Sequence, residues 1–252
     1  MGARGGWAVL NAAAIRDALR GFIGRHKAEF DRLSNRRSQL LEVGSLAVCA
    51  EHYRLAGYEV RAANLQNGVF RVKLGSRGYP WNFSWFDCAR GHNAFEVHSN
   101  LSVYSAYRRD EGVYVVDVGV AAGGAIPRSK PAEGWMAIEN HALVTFGEAK
   151  YLVIYPMLLA QFIGIVSELA PTFLRGERPS GFEDSSHFDP ALMSVGYLHA
   201  TASRIARAYP ERGYLVKIVP ALDMKLSLLR QDGGLNSSVL GRDHEQEFDV
   251  AF

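Results

Sequence analysis

The sequence predicts an α/β fold with a helical N-terminal extension. Helix-like and strand-like segments alternate along the chain, and 252 residues are enough to bury a substantial core. Apolar residues make up 48% of the sequence and charged residues 21%, which is typical of globular proteins. Only two cysteines are present, so a disulfide framework and a thiolate zinc site are both excluded.

The helices are predicted from apolar residues that recur at three- and four-residue steps. They cover residues 10–33, 38–56, 156–169 and 197–208. The first belongs to a helical extension over residues 1–37, the second stops before Gly57, and Pro156 opens the third. Glycine is common just after a helix and proline at its first position, so both residues support these boundaries.

The strands are predicted from alternating or continuous apolar runs. They cover residues 58–62, 69–73, 95–103, 113–120, 142–150 and 214–219. Residues 175–189 are rich in Gly, Pro, Ser and acidic side chains and are expected to form a surface loop. This order assigns residues 38–222 to one α/β core and residues 223–252 to a polar, mobile tail.

The N-terminal helix has a cationic face. Residues 1–40 contain eight Arg or Lys and three Asp or Glu, a local charge of +5, whereas the whole chain carries +2. Such a face either keeps a helix soluble or contacts phosphate groups. The candidate phosphate contacts are Arg16, Arg20, Arg25 and Lys27.

The most hydrophobic window, residues 151–166, spans about 16 residues, fewer than the ~20 needed to cross a bilayer. We interpret it as core and expect no membrane segment. The apolar stretch near the N-terminus is too short for a signal-peptide core, so we expect a cytoplasmic protein. No Walker loop, Gly-x-Ser-x-Gly motif or Rossmann glycine fingerprint is present, which argues against the corresponding enzyme classes.

Three ionisable residues lie inside the two most apolar strand-like runs, where an unpaired charge is expensive to bury. Asp117 lies between two valines, and Glu148 and Lys150 lie two residues apart in the other run. Side chains at i and i+2 of a strand share a face, so Glu148 and Lys150 project side by side. If the strands are neighbours, Asp117 joins them, and the two carboxylates offer oxygen ligands to a divalent cation, usually Mg²⁺. The alternative is a structural ion pair between Glu148 and Lys150.

The chain resembles the PD-(D/E)xK nuclease superfamily in one arrangement of residues. An acid lies in an apolar strand, 30 residues intervene, and E-x-K and an apolar helix follow. Asp117 and the triplet Glu148-Ala149-Lys150 carry the resemblance, and Val116 stands where the name-giving proline would be. The resemblance implies a restriction-endonuclease-like core, a central mixed sheet flanked by helices. The order of the predicted elements between residues 38 and 219 agrees with such a core.

The resemblance also implies a nuclease that hydrolyses DNA phosphodiester bonds with Mg²⁺ or Mn²⁺, in bacterial defence or DNA processing. Asp117 and Glu148 would hold the metal, with the backbone carbonyl of Ala149 completing the coordination. Lys150 would position water or stabilise charge on the phosphate. DNA is the expected partner, and a homodimer is left open. The alternative is a non-catalytic protein that keeps the fold to bind nucleic acid or a partner.

Three further polar residues are candidates for an accessory role. In many members the first core helix contributes a glutamate; Glu42 is the candidate, and Glu51, expected to be solvated, is its competitor. Glu96 faces opposite to its apolar neighbours, and Gln161 is the one polar residue within 157–166. The alternatives are a helix-dipole contact for Glu42, a solvated face for Glu96 and a satisfied core amide for Gln161.

Overall fold

The computed structural model of the chain describes residues 21, 24–25, 37–109, 112–130, 136–179 and 186–222. The predicted tail 223–252 and nearly all of the predicted N-terminal extension lie outside these residues, so both assignments stay predictions. Among the candidate phosphate contacts, Arg16, Arg20 and Lys27 also lie outside them, whereas Arg25 is helical and exposed.

A seven-stranded mixed sheet forms the centre of the described chain, and its strands lie side by side in chain order. The first five pair antiparallel, and the last three pair parallel. The strands are β1 (Glu59–Ala63), β2 (Trp85–Arg90), β3 (Asn93–Tyr104), β4 (Val113–Ala122), β5 (Leu143–Lys150), β6 (Ala191–Ser194) and β7 (Lys217–Val219). The predicted α/β class and the mixed sheet flanked by helices are thus confirmed.

Three long helices flank this sheet within the described ranges: α1 (Arg37–Leu55), α2 (Pro156–Leu169) and α3 (Ala200–Glu211). The crossovers β5–α2–β6 and β6–α3–β7 run in the same direction, so right-handed connections place α2 and α3 on one face. Both helices belong to one buried apolar cluster, and α1 belongs to a second cluster. None of the described helices is long and apolar enough to span a membrane.

Midway along β3 and β4, the apolar side chains of both strands pass from one apolar cluster to the other. Val97 and Val118 pack in the α1 cluster, whereas Leu101 and Val116 pack in the α2–α3 cluster. Alternate residues of a regular strand share a face, so the side chains of both strands change sides at this level. Asn100 lies at the change with a φ of 48°, a left-handed conformation that asparagine tolerates.

Residues 69–73 were expected to form a strand, and that prediction is wrong. This segment follows a tight turn at Gly68, whose φ is 77°, and two of its backbone N–H groups donate to side-chain hydroxyls instead of to a neighbouring strand. Arg71 N–H donates to Ser84 Oγ at 2.9 Å, and Lys73 N–H donates to Ser99 Oγ at 3.1 Å. The segment is therefore an extended connection tied to β3.

Candidate active site

Asp117 meets the Glu148-Ala149-Lys150 triplet at the end of the β4–β5 ladder. The last pair of this ladder is Val118 opposite Gly147. One residue further on, Asp117 Oδ2 accepts a hydrogen bond of 2.7 Å from the Ala149 backbone N–H. The Ala149 N–H points towards β4 but donates to the Asp117 carboxylate, so the ladder of backbone hydrogen bonds between β4 and β5 ends here.

Lys150 lies between the two carboxylates. Its Nζ is 3.0 Å from Asp117 Oδ2 and 2.7 Å from Glu148 Oε2. The side chains of Asp117, Glu148 and Lys150 are 17%, 5% and 33% exposed, so solvent reaches the cluster mainly past the lysine. The structure therefore brings together the three side chains that the sequence singled out.

Glu148 is the most buried member of this cluster. Its Oε1 atom is buried and has no hydrogen-bond partner among the described residues. Burial raises the pKa of Glu148 to about 7; the charge of Asp117 adds to this, and Lys150 opposes it. A carboxylate oxygen in this setting favours a proton or a cation beside it.

The pKa of Lys150 is raised as well, which for an amine favours the charged form. Burial alone would lower the pKa of Lys150, but the charges of Glu148 and Asp117 outweigh burial and raise it above its ordinary value. Lys150 therefore stays an ammonium at neutral pH, with no lone pair to offer a metal or to accept a proton from water.

Oxygen ligands suit Mg²⁺, which binds proteins through one or two carboxylates and keeps several waters. Asp117 and Glu148 supply such a pair, and the partnerless Glu148 Oε1 is where a cation would add a missing contact. In the part of the chain that the structure describes, no group of three or more His, Cys, Asp or Glu could hold a metal. The donor set fits a two-carboxylate site, with the Ala149 carbonyl the predicted third oxygen.

No protein-family model, curated protein or solved structure matches the chain. The functional interpretation of Asp117, Glu148 and Lys150 therefore depends on their geometry and on the short motif. The roles of the surrounding polar residues depend in the same way on the atoms that they contact.

Glu42, on α1, is the nearest accessory candidate. It is half-buried, and its Oε2 accepts a hydrogen bond of 3.0 Å from Asn100 Nδ2. Burial raises the pKa of Glu42; the Asn100 hydrogen bond opposes this, and the charges of Asp117 and Lys150 also act on it. The helix-dipole alternative is wrong, because α1 begins at Arg37 and its first turn contains no acid.

Two expectations about the other glutamates are wrong. Glu51 is buried instead of solvated, and its Oε2 accepts a hydrogen bond of 2.8 Å from Arg54 Nε. Glu96 is also buried, and it pairs with His98 at 2.8 Å and with Arg128 at 2.7 Å. Each glutamate has found a basic partner, which offsets the cost of burying its charge. These partners, Arg54, His98 and Arg128, are not members of the Asp117 cluster.

Gln161 lies on the solvent side of α2. The alternative of a satisfied core amide is wrong, because Gln161 is exposed while Leu158, Leu159, Phe162 and Val166 form the buried stripe of the helix. None of the described contacts connects Gln161 with Asp117 or Glu148. An accessory role for Gln161 stays a prediction without geometric support.

Asn100 and Lys73 are two further polar residues near the cluster that the sequence did not single out. Lys73 is 3% exposed, and its Nζ donates to the Asn100 carbonyl at 2.5 Å. Asn100 Nδ2 donates in return to the Lys73 carbonyl at 3.0 Å as well as to Glu42. In the sequence, Arg71 and Lys73 alternate with apolar residues, a pattern typical of a half-solvated strand, so the burial of Lys73 gave no signal like that of Asp117.

Lys73 makes the stability of the protein depend on pH. Burial lowers the pKa of Lys73 from 10.5 to about 8, so between these values the unfolded chain binds more protons than the folded chain. The contribution of Lys73 to stability therefore increases as the pH rises through this window. We expect the free energy of unfolding of the wild type, relative to that of Lys73→Met, to rise by roughly 2–3 kcal/mol between about pH 7.5 and 10.5. Denaturant unfolding of both proteins across this pH range measures the difference. Free energies of unfolding that change with pH by the same amount in both proteins would contradict the prediction.

Proposed function

We propose that the protein is a metal-dependent nuclease with a restriction-endonuclease-like core that hydrolyses DNA phosphodiester bonds with Mg²⁺ or Mn²⁺. The observation that carries the proposal is the meeting of Asp117, Glu148 and Lys150 at one point of the sheet, with a buried Glu148 oxygen that has no donor among the described residues. Thirty residues separate Asp117 from Glu148, so the fold and not local sequence creates this cluster.

The order of the elements around the site supports the same core. The helix α1 comes first, then β1 and β2, and after them three antiparallel strands (β3, β4 and β5), a helix (α2) and a further strand (β6). Apart from the two strands β1 and β2, this is the order that the resemblance implies. The acid on β4 and the E-x-K triplet on β5 also occupy adjacent strands, as the proposed site requires.

When bound, the divalent cation supplies Lewis-acid activation of water and of the phosphate. Asp117 and Glu148 would hold it, with the Ala149 carbonyl as the third protein oxygen. Because Lys150 stays protonated, it cannot act as the general base. Its contribution is to donate hydrogen bonds to the attacking water or to a phosphate oxygen, and to offset negative charge there.

Exposed aromatic side chains surround the chain as it leaves Lys150. Tyr151, Tyr155 and Tyr197 are all exposed, and the Ile154 N–H donates to the Tyr197 carbonyl at 2.9 Å, which joins the two segments. Tyrosine rings stack on nucleobases without regard to sequence. This surface therefore supports a nucleic acid as the substrate more than a small phosphate ester.

The basic N-terminal residues provide a test of DNA binding that does not need cleavage. Replacing Arg16, Arg20, Arg25 and Lys27 by Gln removes up to four phosphate contacts. The slope of log K against log salt should then flatten by about 3–4, since each phosphate contact contributes about 0.9. Fluorescence anisotropy with a labelled duplex measures the slope, and Arg61→Gln on β1 is the control. An unchanged slope would leave these residues a solvating role only.

The proposed activity is tested on supercoiled plasmid, short duplex, single-stranded DNA and RNA, with Mg²⁺, Mn²⁺ or chelator. Metal-dependent cleavage of DNA that chelator stops is expected.

The second candidate function is a non-catalytic binding protein. It is favoured by the Lys150 ammonium, which already contacts both carboxylates and partly balances their charge. Metal titration separates the two: nucleic-acid binding without metal binding or cleavage would support the non-catalytic protein.

A further inference from the structure

We propose that Asn100 is a positioning residue that orients Glu42 towards the Asp117–Lys150 cluster, and that Lys73 holds Asn100 in the backbone conformation this requires. The proposal rests on the proposed function, because it makes Glu42 part of the same metal site. It adds two residues that the D…E-x-K motif does not contain.

The amide of Asn100 is fixed by two acceptors. Its Nδ2 donates to Glu42 Oε2 on α1 and to the Lys73 carbonyl, both at 3.0 Å. An amide nitrogen has two protons, so both are used and the orientation of the side chain is determined. One Glu42 oxygen is thereby engaged, and the carboxylate is held by a residue of β3 instead of moving freely on its helix.

The backbone of Asn100 makes this contact possible. In the β3–β4 register Ser99 pairs with Val118 and Leu101 with Val116, so Asn100 lies opposite Asp117. Consecutive side chains of a regular strand point to opposite faces. Here Ser99 Oγ and Asn100 Nδ2 both bond to the backbone of Lys73, so the left-handed φ of 48° places both side chains on one side.

Lys73 stabilises the irregular backbone of Asn100 through a hydrogen bond to its carbonyl. Its buried Nζ donates to the Asn100 carbonyl at 2.5 Å, and no carboxylate pairs with it among the described residues. Burying an ammonium beside a neutral acceptor costs free energy, because no opposite charge offsets the lost hydration. Lys73 contacts Asn100, and Asn100 in turn contacts Glu42 and lies opposite Asp117, so the backbone that Lys73 fixes belongs to the acidic site.

The variant that tests the role of the amide is Asn100→Gly. Glycine adopts positive φ freely, so this change keeps the backbone and removes the amide that donates to Glu42 and to the Lys73 carbonyl. Asn64→Gly is the matched control, because Asn64 also has a positive φ, 52°, and its Nδ2 also donates to two carbonyls, those of Trp81 and Phe83. Both variants should lose thermal stability, Asn100→Gly the more, because Asn100 is buried and Asn64 is exposed.

The decisive readout is the affinity for Mg²⁺ and Mn²⁺, measured by calorimetry, beside the cleavage rate at saturating metal. Asn100→Gly should bind metal about 10–100-fold more weakly, the usual effect of losing a residue that orients a ligand. Glu42→Gln should give a similar loss, and the double variant no further loss, because both changes remove one function. Asn64→Gly should bind metal as the wild type does.

Two results would overturn the proposal. One is an unchanged metal affinity in Asn100→Gly, which would make Asn100 only a brace between α1 and the sheet. The other is a double variant in which the two losses add, which would separate Asn100 from Glu42. A wild type that binds metal but cleaves no nucleic acid would contradict the nuclease alone, since calorimetry still reports on Asn100. A wild type that binds neither Mg²⁺ nor Mn²⁺ overturns both the nuclease and the role of Asn100.

Discussion

Glu148→Gln is expected to abolish Mg²⁺-dependent cleavage of DNA while the protein stays folded. The change keeps the shape of the side chain and removes the charge that would hold the cation, so a fall of at least about 10²–10³-fold in rate is expected. The fold should survive because Asp117 remains 3.0 Å from Lys150 and still balances its charge. Plasmid nicking at saturating Mg²⁺, beside the circular dichroism melting temperature, measures both effects.

Asp117 needs a different pair of variants, because its Oδ2 also accepts the Ala149 N–H. Asp117→Ala should lose activity and also leave that N–H without its acceptor. Asp117→Asn should lose activity equally but keep an amide oxygen for the N–H, and hence more stability. Glu59→Gln, an exposed change on β1, is the control. Chelator-sensitive cleavage at wild-type rate in Glu148→Ala or Asp117→Ala would contradict the assignment.

The members of the cluster were predictable from the sequence, because the signal of each is local, whereas their meeting depended on β4 and β5 being neighbours. A charge inside an apolar strand is costly, and that cost can be read from a few neighbours of Asp117 or Glu148. The bounds of α2 were equally local: Pro156 at its first position and apolar residues at helical spacing predicted Pro156–Leu169, as observed. The exposed position of Gln161 was not predictable, since an apolar window does not show which side of a helix is covered.

The contacts of Asn100 were beyond sequence reasoning. They join β3 to a residue 27 positions away and to another 58 positions away, through a left-handed backbone that no periodicity indicates. The strand β6 was missed because four buried residues are too few to show alternation. The strand β2 was missed because it begins within an aromatic-rich stretch, which also suits a core or a hairpin.

Lys150→Met is expected to lower the cleavage rate by about 10²–10³-fold, roughly 2.7–4 kcal/mol of transition-state stabilisation, without weakening metal binding. An ammonium carries no lone pair, so it cannot be a ligand, and removing it also removes its repulsion of the cation. Calorimetric metal titration beside single-turnover cleavage separates the two effects.

The same variant should show what holds the acidic pair together without metal. Lys150 is the donor to Glu148 Oε2 and one of two donors to Asp117 Oδ2, so Lys150→Met leaves two carboxylates facing each other. We expect the metal-free variant to be less stable by about 1–3 kcal/mol, the usual cost of a buried acceptor that loses its donor. Mg²⁺ should restore more stability to the variant than to the wild type, because the cation replaces the missing positive charge. If metal binding instead collapses while turnover at saturating metal is normal, Lys150 only holds Glu148 in place, and its catalytic role is wrong.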